Sequence, residues 1–173
     1  MKKAIFAAGC FWCYEPVFMS LKGVVHTQVG YIGGTVQNPT YEQVCTGQTG
    51  HVEAIEIEFD ENAISFEQLV EVFWSIHDPT SLNRQGNDIG TQYRTAIFYL
   101  DEEQRLIAEK SKIENQKNFE KPIVTEIIKA ETFYKAEDYH QNFYNKNKGY
   151  GYCEYVINPK IQKFKNEFKN LLK

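Results

Sequence analysis

The chain has 173 residues, of which 42% are hydrophobic, 24% charged and 14% aromatic, with a net charge of −4. This is the composition of one globular domain over residues 1–173, long enough to bury about 70% of its unfolded surface. The acidic balance excludes an ordinary nucleic-acid binder, and no apolar run approaches the ~18 residues of a transmembrane helix.

The elements follow in chain order. Lys3–Ala8 reads as a short buried strand. Lys2-Lys3 and the apolar run ending at Gly9-Cys10 also resemble a lipoprotein signal, but the run is shorter than the ~7–15 residues of such a segment and a helix pattern follows at once. The periodicity predicts a helix over Trp12–Leu21, stopped at Gly23. A strand follows over Val24–Tyr31, and then a long Gly-, Asn-Pro- and Thr-containing loop over 33–50. Val52–Phe59 alternates as a strand, and Ser65 caps a helix over Phe66–His77. Asp78–Gly90 reads as a second long loop and Arg94–Leu100 as a strand. Asp101-Glu102-Glu103 opens a helix with acids at its positive end. Val124–Ala130 is a further strand. Asn158-Pro159 reads as an N-cap and first-turn pair opening a final helix that buries Ile161, Phe164, Phe168 and Leu171. Its lysines, in a cluster running from Lys146 to Lys173, form a solvated face. The first six elements run β-α-β-β-α-β. The expected fold is therefore α+β, a ferredoxin-like split β-α-β sandwich with an extra helix, strand and helical C-terminal tail.

Four cysteines, Cys10, Cys13, Cys45 and Cys153, are too few and too unevenly placed for a secreted disulfide framework. They imply a reducing, cytoplasmic setting with catalytic or buried thiols. Gly9-Cys10-Phe11-Trp12-Cys13 places a thiol between strand and helix, where amide N–H groups favour the thiolate. Phe11 and Trp12 beside it suit a small apolar group such as a thioether methyl. Cys10 and Cys13, three apart, are neighbours on the first helical turn, so a disulfide or relay is open to them. A thioredoxin-type exchange motif reads the same way. A zinc site would need a second ligand pair that the sequence lacks. Cys45 reads as a small buried residue. Cys153 lies in Gly149-Tyr150-Gly151-Tyr152-Cys153, a mobile glycine-punctuated segment suited to disulfide exchange.

Glu53 shares its strand register with Ile55, Ile57 and Phe59, whereas Glu56 and Glu58 fall on the opposite, solvent-facing register. A carboxyl on the buried register has its pKa raised by desolvation and can serve as a general acid. The alternative is that Glu53, at the strand's start, turns to water. Tyr41 and Tyr93 stand beside the long loops and can donate to an anionic oxygen, although packing is the commoner role of a tyrosine. Asp88 follows Gly86-Asn87, where turn chemistry alone would account for it.

The block Gly9-Cys10-Phe11-Trp12 resembles the signature of the A-type peptide methionine sulfoxide reductases. So, in the same order, do Gly30-Tyr31, Asn38-Pro39-Thr40-Tyr41, Thr49-Gly50-His51-Val52-Glu53, Arg84-Gln85-Gly86-Asn87-Asp88, Gly90-Thr91-Gln92-Tyr93-Arg94, Ala136–Gln141 and Gly149–Cys153. The resemblance implies that Cys10 is the nucleophile and that Phe11 and Trp12 hold the substrate methyl. It implies Glu53 as proton donor, Tyr41 and Tyr93 as oxygen-binding groups, and Asp88 as orienting a water or a substrate amide. It implies Cys153 as first resolving cysteine, with Cys13 as an alternative or a relay. The implied activity is reduction of the S epimer of free or protein-bound methionine sulfoxide through a sulfenic acid. An intramolecular disulfide would follow, reduced by thioredoxin, or by DTT in vitro. No bound cofactor, metal, nucleic acid or membrane is expected, and a monomer is. Many relatives lack a cysteine at the position of Cys13 and carry one more after that of Cys153. Two other readings are a general thiol–disulfide oxidoreductase using Cys10 and Cys13, and a non-enzymatic interaction module.

Overall fold

A computed structural model describes residues 1–173. Its centre is a six-stranded sheet. β1 (Lys2–Ala7), β2 (Val24–Ile32), β3 (Val52–Phe59), β6 (Ala96–Tyr99), β7 (Glu126–Lys129) and β8 (Tyr134–Lys135) lie in the order β7-β6-β1-β3-β2-β8. All neighbours are antiparallel except β6 and β7. The α+β class expected from the sequence is the one the chain adopts. The inner strands β6-β1-β3-β2 have a consequence for function. β1 and β2 run one way and β3 and β6 the other, so the C-terminal ends of β1 and β2 meet the N-terminal ends of β3 and β6 on one sheet edge. Residues 8–10, 31, 53 and 93 are thereby brought together from distant parts of the chain.

One sheet face carries the main core. Ala4, Phe6, Val29, Tyr31, Ile55, Ile57 and Ile97 pack against α1 (Phe11–Met19) and α3 (Phe66–Ser75), with Ala108 of α4 (Glu102–Asn115) at its margin. Phe6 stacks on Phe18, Phe66 and Phe73 with ring centroids 5.3–5.9 Å apart. The other face is narrower, built from Ile5, Ala7, Ile32, Val52, Ala54, Ala96 and Phe98 under Ile128, Ala130 and Phe133. Val52 and Ala54 are therefore buried too. Only Glu56 and Glu58 on that register reach partial exposure.

Capping chemistry sets the helix starts. Ser65 and Gln68 form a reciprocal capping box on α3, and Asp101 caps α4 through the Gln104 N–H. Three expectations are corrected. α1 ends at Met19 with Ser20 as its cap, and Gly23 instead makes a left-handed turn into β2. The 33–50 loop contains the short helix α2 (Tyr41–Cys45), capped by Thr40 and Gln43 in the same box pattern. The 78–90 loop holds a tight hairpin of β4 (Arg84–Gln85) and β5 (Asp88–Ile89), turning through Gly86 at φ +59°.

The C-terminal segment also differs. α5 (Phe143–Lys146) is followed by a π-helical turn over Cys153–Ile157 that runs straight into α6 (Asn158–Glu167). Asn158 is already helical, so it does not cap. Its side chain accepts a hydrogen bond from the Tyr144 hydroxyl instead. Ile161 and Phe164 are buried as expected, whereas Phe168 and Leu171 lie past the end of α6 and are half-buried.

Gly9 joins β1 to α1 at φ +99°, and a Cβ there would stand 2.7–2.8 Å from the Gln85 side chain. The clashing atoms are Cβ and Cγ of Gln85, close to its backbone, so they cannot swing away. Gly9→Ala is expected to destabilise the fold by about 2 kcal/mol or more in denaturant unfolding.

Candidate active site

Cys10 is the N-cap of α1, in extended conformation, with no side-chain capping bond. Its thiol is thus free to face the sheet edge rather than satisfy the helix. The first amide of the helix, Phe11 N–H, donates to Glu53 Oε1 at 3.1 Å. The Tyr14 hydroxyl donates to the Glu53 backbone carbonyl at 2.9 Å. Glu53 is only 1% exposed, so of its two sequence readings the buried register is the one adopted. Burial, partly offset by the Phe11 N–H and reinforced by the charges of Asp88 and Cys13, pushes the Glu53 carboxyl up to about 8. It is a protonated acid at neutral pH.

Tyr41 and Tyr93 are half-buried, at the start of α2 and just before β6. Burial and then the Glu53 charge hold both phenols above their ordinary range, so both hydroxyls stay protonated and within electrostatic reach of that carboxyl. Asp88 sits on the β4–β5 hairpin and accepts from the Tyr152 hydroxyl at 2.7 Å.

Phe11 is buried beneath the site, with its ring 5.9 Å from Tyr31 and 5.1 Å from His140. Trp12 is half-buried and fixed on two sides. Its indole stacks on Phe143 at 3.8 Å, nearly coplanar, and its Nε1–H donates to His140 Nδ1 at 3.0 Å. That bond requires a neutral imidazole with its proton on Nε2. Burial keeps His140 neutral by lowering its pKa. Its Nε2 is buried without a hydrogen-bond partner, inside a ring of Phe11, Trp12, Tyr41 and Tyr139.

The thiols depart most from expectation. Cys10 and Cys13 are both buried at the start of α1, where the Cys13 N–H donates to the Cys10 carbonyl at 3.0 Å, and they titrate as a pair. The sequence pointed to Cys10 as the acidic thiol. In the structure the neighbouring Cys13 thiol, followed by burial, raises Cys10. The neighbouring Cys10, with Lys160, draws Cys13 down to about 7. Cys153 is fully buried in the π-helical turn rather than carried on a mobile strand. Cys45 is exposed rather than buried, because Val44 is the α2 residue that faces the core. Cys13 also lines a cavity of about 620 Å³ under α6, with His77, Phe119, Lys121 and Lys160 among its walls. No group of three or more His, Cys, Asp and Glu side chains is arranged to hold a metal ion.

The structure therefore gathers Cys10, Cys13, Phe11, Trp12, Tyr41, Glu53, Asp88 and Tyr93 at one sheet edge. It adds three residues to which the sequence gave no role. Tyr152 bridges Cys13 and Asp88, His140 holds Trp12, and Lys160 approaches Cys13. A fourth, Glu137, accepts from the Tyr31 hydroxyl and the Tyr41 N–H, both at 2.9 Å, and so anchors α2 beside the site. His140 and Glu137 fall in a block already singled out for its resemblance. Nothing local marks Lys160, which lies 147 residues from its partner.

The chain as a whole is similar to known proteins. The family described as peptide methionine sulfoxide reductase matches residues 2–172. Peptide methionine sulfoxide reductase MsrA of Pasteurella multocida is 53% identical over 172 residues, covering 99% of each chain. Methionine sulfoxide reductase A of Corynebacterium diphtheriae has a solved structure at TM-score 0.79 and 38% identity, covering 89% of this chain and 78% of its own. Mxr1 of Saccharomyces cerevisiae in reduced form aligns at TM-score 0.81 and 33% identity, covering 88% of each. Mxr1 has also been solved in complex with Trx2, where the likeness, at 22% identity, is one of fold. No helix of the chain is long and apolar enough to cross a membrane. With a full-length family match and relatives above 50% identity, this chain belongs to the A-type peptide methionine sulfoxide reductases.

Proposed function

We propose that the chain reduces the S epimer of methionine sulfoxide, free or in oxidised proteins, with Cys10 as nucleophile and Glu53 as general acid. The observation that carries this reading is the Glu53 carboxyl, 1% exposed, bonded to the first amide of the helix that Cys10 caps, and raised to about 8. A sulfoxide oxygen leaves only when protonated, and a carboxyl still neutral at pH 7 can supply that proton. The Tyr41 and Tyr93 hydroxyls remain donors throughout this pH range and stabilise charge on the departing oxygen. Trp12, held flat by Phe143 and His140, offers an apolar wall with Phe11 for the substrate methyl. Asp88, oriented by Tyr152, accepts a hydrogen bond from a water or a substrate amide.

Attack by Cys10 sulfur on the sulfoxide sulfur, with proton transfer to oxygen, releases methionine and leaves Cys10 as a sulfenic acid. Cys13 is favoured as the first resolving thiol, because it stands one helical turn from Cys10 and has Lys160 Nζ at 3.9 Å from its sulfur. Cys153, fully buried, would have to leave its packing to compete. The resulting disulfide is returned to dithiol by a thioredoxin. The yeast relative's complex with Trx2 supports that class of reductant. No bound cofactor enters the scheme. The close Cys10–Cys13 pair also fits general thiol–disulfide exchange, which would appear as insulin-disulfide reduction without sulfoxide turnover.

With DTT as reductant and separated methionine sulfoxide epimers, turnover is expected for one epimer only, the S form, and is expected to vanish in Cys10→Ser. Activity on both epimers, or activity retained in that variant, overturns the reading. Glu53→Gln is expected to slow single-turnover methionine release by ~10²-fold or more. The same substitution should change the pH dependence of stability. A carboxyl at about 8 in the fold and ~4.3 unfolded contributes stability that is present below ~4.3 and lost as pH rises through about 8. Glu53→Gln should therefore gain on wild type in urea unfolding as pH rises between these values, by about 1.4 kcal/mol per pH unit. Cys13→Ser is expected to abolish the rapid intramolecular disulfide with Cys10, and Cys153→Ser to leave its rate within about twofold. The reverse pattern, read by thiol counting after one turnover, would transfer the role to Cys153.

A further inference from the structure

Cys13 is met by two groups from the C-terminal segment. The Tyr152 hydroxyl lies 3.3 Å from its sulfur and also donates to Asp88 at 2.7 Å. Lys160 Nζ, from the first turn of α6, points at the same sulfur at 3.9 Å. Lys160 forms none of the chain's salt bridges with a carboxylate. Lys160 and Cys13 both line the same cavity of about 620 Å³. A lysine with no acidic partner, directed at a buried thiol, is arranged for the anionic form of that thiol.

We propose that Lys160 is a catalytic residue of the recycling half of the reaction, the fixed cation that holds Cys13 as a thiolate. The inference rests on the reading of Cys13 as resolving thiol and extends it. In the forward step the Cys13 thiolate attacks the sulfenic sulfur of Cys10. The S–S bond forms as the S–O bond breaks, and the oxygen leaves as hydroxide, which takes a proton to become water. The Cys13 sulfur is oxidised and the sulfenic sulfur reduced. In the return step an incoming dithiol attacks Cys10, and Cys13 departs as a thiolate beside the same cation. A lower leaving-group pKa speeds that departure. Lys160 gives up no proton in either step, and its charge serves both directions.

The charges around Cys13 divide by sign. Cys10 and Lys160 favour the Cys13 thiolate, whereas burial and the Asp88 carboxylate oppose it, and the one proton of the Tyr152 hydroxyl is committed to Asp88. Burial, and after it the Cys13 charge, raises Cys153 in the π-helical turn. The arrangement also accounts for the path of the tail. The π-helical turn and the first turn of α6 carry Lys160 back over α1, which they contact directly.

The first test is thiolate absorbance at 240 nm across pH in Cys10→Ser, where Cys13 no longer shares its titration with Cys10 and the effect of Lys160 is read alone. Lys160→Met in that background is expected to raise the Cys13 midpoint by about one unit, and Lys160→Arg to restore most of the shift. Lys160 is exposed, so folding is not expected to suffer, and circular dichroism checks it. The second test is stopped-flow in the otherwise intact enzyme. At pH 7, Lys160→Met should slow disulfide formation about tenfold more than it slows methionine release. An unmoved Cys13 midpoint overturns the proposal, and so does a disulfide step no more affected than methionine release. If wild type releases no methionine, the reductase reading fails, and the titration still decides whether Lys160 governs the thiol.

Discussion

The hydrogen bond from Phe11 N–H to Glu53 Oε1 ties the first turn of α1 to the first residues of β3, and the rest of the site is arranged around it. Tyr14 adds a second tie from the same helix to the same residue. Together they fix where the helix begins, and so where the sulfur of its N-cap residue lies relative to the carboxyl. The bond is also electrostatically two-sided. A helix N-terminus favours the carboxylate, yet the burial needed to bring the groups together favours the neutral acid. Burial wins, leaving a proton donor whose titration falls above neutrality.

A second layer comes from the other end of the chain. Residues 137–160 fold over α1 and supply Glu137 to Tyr31 and Tyr41, His140 to Trp12, Tyr152 to Asp88 and Cys13, and Lys160 to Cys13. These side chains orient or polarise groups that the N-terminal half provides. The division has a physical basis. Nucleophile, acid and apolar wall sit on or beside the sheet and first helix, where packing fixes them. Their partners arrive on short turns that can adjust until each buried polar group is met. His140 Nε2 is one exception, a buried donor without a partner, and such a group carries a free-energy cost.

Strand and helix periodicity was legible in the sequence because it reflects local geometry. Val52–Phe59 emerged with the bounds its alternation implies, and Ser65 caps the helix it was expected to cap. Glu53 was narrowed to two readings by the same alternation. The short elements were harder. Helix α2 was hidden in a loop-like composition, although Thr40 and Gln43 carry the capping-box spacing that would have revealed it. The π-helical turn was missed because the glycines before it signal flexibility, while packing of Cys153 and Ile157 into the core decides otherwise.

The sequence by itself determined the class of chemistry. A thiol at a strand–helix junction, aromatics behind it, a carboxyl on a buried register and an ordered set of motifs together identify the family. Tertiary structure alone decided how the protons and charges are distributed. How the proton is shared between Cys10 and Cys13 depends on their burial side by side and on a lysine 147 residues away. Whether Cys45 or Cys153 is accessible depends on which neighbour fills the core. Periodicity records which face of an element is buried, but pKa and access depend on groups that meet only when the chain has closed on itself.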